Sequence, residues 1–258
     1  MADQFRETYG PIALVTGASS GIGLAFAEEL ADRGFDLVLT ARRTDRLDAL
    51  AERLLSSHAV RTTVIGCDLA DPDAPARILE ATRGADIGLV VSNAGFNVKG
   101  AFEDTDAAAM ARMLMVNCHA PIQLAHGLIP RLKARSRGGI VFTASVEGLI
   151  GCPYSAAYSA SKALVVALGE ALWGEMQGTG IDVLTLCPGA TESEATAGME
   201  GIAQLQSAAE VAKLALGNMR EGPTFVPHAH YRQMFEGLRA KPRREALAAM
   251  AEGMRKRA

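Results

Sequence analysis

A short apolar run from Ile12 to Thr16 passes directly into Thr16-Gly17-Ala18-Ser19-Ser20-Gly21-Ile22-Gly23, and that turn opens a stretch of helical periodicity reaching about Arg33. A strand that turns on glycines into a helix admits few folds. Gly17 permits the tight turn, Gly21 lets backbone approach a pyrophosphate, and Gly23 allows strand and helix to pack closely. The helix N-terminus offers free N–H groups to an anion. The spacing is Gly-x-x-x-Gly-x-Gly.

The rest of the chain repeats the alternation. Apolar, β-branched runs at Ile12 to Thr16, Leu37 to Thr40, Thr63 to Gly66, Ile87 to Ser92, Gly139 to Ala144, Val183 to Cys187 and Thr224 to Val226 read as buried strands. Helical stretches fill the gaps, at about Ile22 to Arg33, Asp45 to Ser56, Ala74 to Arg83, Asp106 to Lys133, Ala156 to Gln177, Ala208 to Met219, and a last pair from Tyr231 to Met254. The pattern predicts an α/β fold: one doubly wound, parallel, seven-stranded Rossmann-like sheet with helices on both faces. With 258 residues, 49% hydrophobic, the chain suits a single domain over 1–258, with a helical extension at about 229–258. The charged, alanine-rich tail after Pro242 is expected to pack its apolar stripe on the body or on another subunit.

A formal net charge of -3 gives nucleic-acid binding no support. No apolar run approaches the ~18 residues of a membrane span, and the N-terminus lacks a signal layout, so a cytoplasmic protein is expected. Cys67, Cys118, Cys152 and Cys187 have no Cys-x-x-Cys spacing and read as reduced, buried thiols. His228 and His230 would face one way on an extended strand, but without a third ligand they make no metal site.

Chemistry concentrates in Tyr158-Ser-Ala-Ser-Lys162, thirteen residues after Ser145. Helical residues four apart share a face, so the Lys162 ammonium reaches the space around the Tyr158 phenol. A cation there favours phenolate and lowers the tyrosine pKa toward useful acid/base chemistry, with Ser145 as a hydroxyl partner.

The glycine spacing together with Tyr158-x-x-x-Lys162 resembles the short-chain dehydrogenase/reductase family, from about Pro11 to Met219. The resemblance implies a nicotinamide cofactor held at Gly17, Ser19, Ser20, Gly21, Ile22 and Gly23. Asp68 matches the family's adenine-contacting aspartate, with Leu69 beside it. Asn93-Ala94-Gly95 looks like the turn beside the adenosine ribose. Pro188, Gly189 and Thr191 match the segment at the nicotinamide, and Lys162 and Tyr158 also meet the cofactor. The implied catalytic tetrad is Asn117, Ser145, Tyr158 and Lys162: Tyr158 is general acid/base, Ser145 binds the substrate oxygen, and Asn117 holds a water of the proton relay. Lys162 holds the nicotinamide ribose. The family also implies a homodimer or homotetramer.

Where an NAD-type acid would end the second strand stands Ala41, followed by Arg42 and Arg43. Guanidinium groups suit a phosphate dianion, so NADP(H) is expected over NAD(H), with Arg42 as main ligand and Ser19 or Arg43 assisting. Pocket walls are expected from Val146 to Tyr154, Phe96, Asn97 and Ala190 to Gln206. Leu149, Ile150, Pro153 and Tyr154 suggest a small hydrophobic carbonyl or alcohol, with Phe96 and Ser145 also lining the pocket, and Glu147 is either a polar selector or a solvated loop residue. The segment after Thr224 lacks the Asp-Gly-Gly of the 3-oxoacyl-carrier-protein reductases. The leading expectation is an NADP(H)-dependent carbonyl reductase. An NAD-dependent secondary-alcohol or hydroxysteroid dehydrogenase is the second, and a non-catalytic NADP-binding sensor the third.

Overall fold

A computed structural model describes residues 2–194, 196 and 205–255. Its centre is a seven-stranded, wholly parallel sheet in the order β3-β2-β1-β4-β5-β6-β7. The strands are β1 (Ile12–Thr16), β2 (Asp36–Ala41), β3 (Thr62–Gly66), β4 (Ile87–Ser92), β5 (Gly138–Thr143), β6 (Ile181–Leu186) and β7 (Thr224–Phe225). The helices are α1 (Ala2–Tyr9), α2 (Gly21–Asp32), α3 (Thr44–His58), α4 (Ala74–Ala81), α5 (Ala107–Leu114), α6 (Ala120–Arg135), α7 (Ala156–Glu175), α8 (Ala208–Gly217), α9 (Ala229–Ala240) and α10 (Arg243–Arg255).

Strand periodicity explains the two layers of core. Successive side chains point to opposite faces. Leu14, Val38, Val90, Ile140 and Val183 therefore meet Ile78, Leu124, Leu128 and Val165 of α4, α6 and α7 on one side. Ala13, Val15, Leu37, Leu39, Val91, Val141 and Leu184 meet Phe26, Leu30, Leu47, Leu50 and Val211 of α2, α3 and α8 on the other. The strand order reverses between β1 and β4, which opens a crevice at their C-terminal ends where ligands bind in such sheets.

Four expectations need correction. β3 and β7 lie at the two edges of the sheet and are only partly buried, where the sequence suggested fully buried strands. The helix expected over Asp106 to Lys133 is broken by a π-helical turn at Met115–His119, in which the N–H of Ala120 reaches back to the carbonyl of Met115. Pro121 lies just beyond and has no N–H to return to the Asn117 carbonyl four residues earlier, so the ordinary α-helical ladder fails there. The polar N-terminus forms α1, which was not foreseen. Its Phe5 packs on Phe35, the Arg33 guanidinium lies 4.6 Å from the Phe5 ring centroid, and the Tyr9 hydroxyl donates to Asp182 at 2.6 Å. Lastly, His228 and His230 lie at the start of α9 and not on a strand: His228 Nδ1 accepts the N–H of His230 and caps the helix. The C-terminal helices pack on the body, with Phe235 and Ala246 buried and Leu247 and Met250 against the same core.

Candidate active site

The glycine turn has the local geometry that its spacing demands. Gly17 and Gly21 have φ of +68° and +55°, a region that L side chains rarely adopt. A Cβ on Gly17 would stand 2.9 Å from the Ala94 Cα, and one on Gly23 would run into the Gly17 carbonyl. No side chain caps the first turn of α2 and no acid sits in it, which leaves its N-terminal N–H groups and dipole for an anion. The residues present therefore fit the pyrophosphate of a dinucleotide.

Thr16, which the sequence reading used only to mark the end of a strand, ties this turn to the neighbouring strand. Its hydroxyl accepts the N–H groups of Asn93 and Ala94, both at 2.9 Å, while Asn93 Nδ2 donates to the Thr16 carbonyl at 3.1 Å. Gly95 then gives room for two further predicted residues. A Cβ there would lie 3.1 Å from Asn117 Oδ1 and 3.2 Å from Lys162 Nζ.

The Asn117 carboxamide is engaged by its surroundings. Its Oδ1 accepts from the Phe96 N–H at 3.1 Å, and its Nδ2 donates to the Phe96 carbonyl and to Ser161 Oγ. Ser161 Oγ in turn donates to the Tyr158 carbonyl at 2.7 Å. The π turn is thus bolted to α7 through a residue inside the Tyr-x-x-x-Lys motif that the motif itself does not mark. Ser159 does similar work on the other side: its hydroxyl donates to the Glu147 carbonyl at 2.7 Å and accepts the Cys152 N–H at 2.9 Å.

Tyr158, Ser145 and Lys162 converge at the C-terminal end of β5. The Ser145 hydroxyl acts on the Tyr158 phenol and favours its charged form, and its Oγ accepts from the Glu147 N–H at 3.2 Å. Lys162 is buried, lies 5.8 Å from the Tyr158 ring centroid, and donates to the Thr143 carbonyl at 2.8 Å. Burial pulls its ammonium down to about 8. Here the electrostatics correct the sequence expectation. In this structure the Tyr158 phenol is pushed up, first by burial and then by the charge of Glu147, and only the Ser145 hydroxyl among the principal influences lowers it. Lys162 Nζ is turned to the Thr143 carbonyl and is not among the principal influences on Tyr158.

Glu147 is no solvated loop residue. It accepts from Lys99 Nζ at 2.7 Å and from the Ser155 hydroxyl, and Lys99 Nζ stands 5.7 Å from the Tyr158 ring centroid. Leu149 packs against the core from a partly buried position, Phe96 is exposed, and Tyr154 has a left-handed backbone whose carbonyl accepts the Gly100 N–H. Of the expected wall from Ala190 to Gln206, residue 195 and residues 197–204 lie outside the described residues.

Pro188 and Gly189 follow β6 beside the Ser145 loop, where the Pro188 carbonyl accepts the Val146 N–H at 3.1 Å. A Cβ on Gly189 would penetrate the Tyr231 ring, so an aromatic residue of α9 packs directly on this segment, a contact that sequence reasoning missed. Thr191 Oγ1 donates to the Gly189 carbonyl at 3.2 Å. At the other end of the crevice, Asp68 accepts from the Ala70 N–H and from Arg112, and Leu69 is buried.

Beyond β2 the two arginines have different surroundings. Arg43 Nη2 donates to Ser20 Oγ at 2.9 Å and Ser19 Oγ at 3.2 Å, directly beside the glycine turn, whereas Arg42 is exposed and makes no hydrogen bond among the described residues.

Comparison with known proteins agrees with this geometry. The family model for short chain dehydrogenases matches residues 11–201. A 7beta-hydroxysteroid dehydrogenase of Clostridium sardiniense is 35% identical over 187 residues, covering 72% of each chain. A short-chain dehydrogenase from Sphingobium yanoikuyae in complex with NADPH superposes with a TM-score of 0.82 at 34% identity, over 93% of this chain and 96% of that one. The bulky-bulky ketone specific alcohol dehydrogenase of Comamonas testosteroni gives 0.79 at 33% identity, over 92% and 96%.

Proposed function

The chain belongs to the short-chain dehydrogenase family and is an oxidoreductase, and on that premise we propose that it transfers hydride between NADP(H) and a bulky hydrophobic secondary alcohol or its ketone. The observation that carries this reading is the convergence of Tyr158, Ser145 and Lys162 next to Gly95 and the Pro188-Gly189 segment.

The cofactor, when bound, supplies or accepts hydride at its nicotinamide. The protein's own groups do the rest. Ser145 and Tyr158 hydrogen-bond the substrate oxygen, and Tyr158 gives or takes the proton there. A phenol raised by burial is protonated at neutral pH, and a developing alkoxide, the stronger base, takes its proton. Lys162, buried at a point where charge is disfavoured, gains a stabilising partner when ribose hydroxyls arrive. The Asn117 side chain is committed to Phe96 and Ser161, so its backbone carbonyl, deprived of an N–H by Pro121, is the group that holds a relay water. Gly17, Ser19, Ser20, Gly21, Ile22 and Gly23 cradle the pyrophosphate, Asn93, Ala94 and Gly95 border the ribose, Asp68 and Leu69 border the adenine, and Thr191 reaches the carboxamide.

NADP(H) preference is supported by Arg43, which donates to Ser19 and Ser20 beside the glycine turn, and by the NADPH bound by the Sphingobium yanoikuyae relative. A large hydrophobic substrate is supported by Tyr231 and Leu149 at the site and by the hydroxysteroid and bulky-ketone relatives. Exposed Leu114, Ile122 and Leu164 on α5, α6 and α7 support a homodimer or homotetramer. Buried free cysteines accord with a cytoplasmic setting, and among the described residues no helix is long and apolar enough to cross a membrane.

Fluorescence titration with NADPH and NADH tests the cofactor reading. NADPH is expected to bind at least tenfold more tightly, with Arg43→Ala erasing most of that preference and Arg42→Ala less of it. Tighter binding of NADH overturns it.

A further inference from the structure

Arg43 and Arg46 share a partner from the far side of the sequence. Glu194 Oε2 accepts from Arg43 at 2.8 Å, and Glu194 Oε1 accepts from Arg46. One carboxylate thus spans two guanidinium groups, one of which also holds Ser19 and Ser20 of the glycine turn.

The described residues on either side of Glu194 are tied down by hydrogen bonds. Thr191 bridges to Gln206, and the Glu192 N–H donates to the Gln206 carbonyl at 2.9 Å. Thr196 Oγ1 donates to the Thr191 carbonyl and accepts the Ser193 N–H, both at 2.9 Å. Ser193 Cβ lies 3.5 Å from where a Gly21 Cβ would be, so the turn sits directly over the start of α2. Glu194 projects from this turn onto the arginines with its side chain 53% exposed.

We propose that Glu194 is a cofactor-selecting residue: its carboxylate occupies Arg43 and Arg46 in place of a ribose 2′-phosphate, and a cofactor carrying that phosphate displaces it while one lacking it does not. This rests on the reading of Arg43 as the phosphate ligand and deepens it. Arg46, which the sequence did not point to, becomes the second phosphate ligand.

The chemistry favours exchange. A phosphate monoester brings close to two negative charges and three acceptor oxygens, against one charge and two oxygens on the carboxylate. Exposed ion pairs are individually weak, so Glu194 can be displaced without disrupting the fold. A cofactor with a free 2′-hydroxyl offers the arginines nothing better than they already hold. Glu194 therefore takes some affinity from NADP(H) and leaves NAD(H) untouched, while shielding two cations that would otherwise attract stray anions.

Binding titrations of wild type and Glu194→Gln with NADPH, NADH, adenosine 2′,5′-bisphosphate and adenosine 5′-monophosphate test this without any turnover. Glu194→Gln is expected to bind NADPH and the bisphosphate roughly threefold to tenfold more tightly, with NADH and the monophosphate within about twofold of wild type. Adding Arg46→Ala to Glu194→Gln should weaken NADPH by a similar factor and leave NADH alone. Equal tightening of all four ligands would make Glu194 a general cover and overturn the proposal, as would unchanged NADPH affinity. If wild type binds NADH more tightly than NADPH, the cofactor reading falls and the role of Glu194 with it. If wild type prefers NADPH and Glu194→Gln changes nothing, only the role of Glu194 falls.

Discussion

Gly148 is where the Ser145 loop touches the helix that carries the catalytic pair, and replacing it by alanine is the sharpest test of that packing. A Cβ at Gly148 would lie 2.6 Å from the carbonyl carbon of Lys162, 2.7 Å from its oxygen and 3.0 Å from the Ala163 nitrogen. All three are backbone atoms, so no rotamer change relieves the contact. Restoring an ordinary carbon contact of about 3.5 Å requires the loop to move from α7 by roughly 1 Å. Overpacking of this kind costs about 1–3 kcal/mol, offset by some 0.4–1 kcal/mol from the stiffer unfolded chain. Gly151 lies three residues on, and a Cβ there meets nothing within 4 Å. Gly151→Ala is therefore the matched control and should be neutral or slightly stabilising. The net loss of about 1–2 kcal/mol in Gly148→Ala corresponds to a fall in Tm of roughly 2–8 °C. A shift of ~1 Å between Ser145 and Tyr158 should also lower kcat on the order of 10²-fold, while NADPH binding changes little. Thermal unfolding and steady-state rates of both variants decide it. If Gly148→Ala matches Gly151→Ala in Tm and kcat, the account of how this loop is held is wrong.

Two further outcomes follow from the electrostatics. Lys162 is held at about 8 in the folded protein, below its ordinary 10.5, so between those values the unfolded chain binds a proton that the folded one does not, and stability rises with pH across that window. Lys162→Met should accordingly be more stable than wild type at pH 7, by about 1–3 kcal/mol after the lost bond to Thr143, with the advantage shrinking from pH 8 toward 10.5 in urea titrations; an advantage that does not change with pH contradicts this. Lys99→Met leaves the Glu147 charge beside Tyr158 without its counterion, so the rising limb of the alcohol-oxidation pH profile should move up, with rates below it falling roughly threefold to tenfold. Glu147→Gln should move the same limb down, and equal slowing at every pH in both variants would reduce the pair to a structural role.

Most of the sheet was legible in the sequence because central strands of a parallel sheet are covered on both faces and read as unbroken apolar runs. β3 and β7 were overread since an edge strand has the same β-branched composition while facing solvent on one side. The π turn is invisible to apolar periodicity, although Pro121, four residues after Asn117, was its one local signal. α1 is short and polar, and acquires its reason for being helical from contacts distant in sequence, among them Phe35 and Asp182. Within the site, the spacing of Tyr158 and Lys162 establishes a shared helical face but not which acceptor Nζ meets, and that acceptor proved to be Thr143. Arg42 and Arg43 are adjacent in the turn between β2 and α3, where no strand period fixes their directions. The pair can be read from sequence, but which member faces Ser19 and Ser20 cannot. Glu194 and Tyr231 reach the site across 151 and 42 residues of chain from Arg43 and Gly189 respectively, and no local pattern announces either.

The central claim is that Tyr158 moves the proton that accompanies hydride transfer. The most direct measurement is consumption of NADPH by wild type and Tyr158→Phe at saturating cofactor with a bulky hydrophobic ketone such as a 7-ketosteroid, alongside the NADPH affinity of each. The account predicts turnover by wild type, a loss on the order of 10³-fold or more in Tyr158→Phe, and cofactor affinities within about threefold of each other. Wild-type rates in Tyr158→Phe, or a loss that tracks weakened NADPH binding, would contradict it.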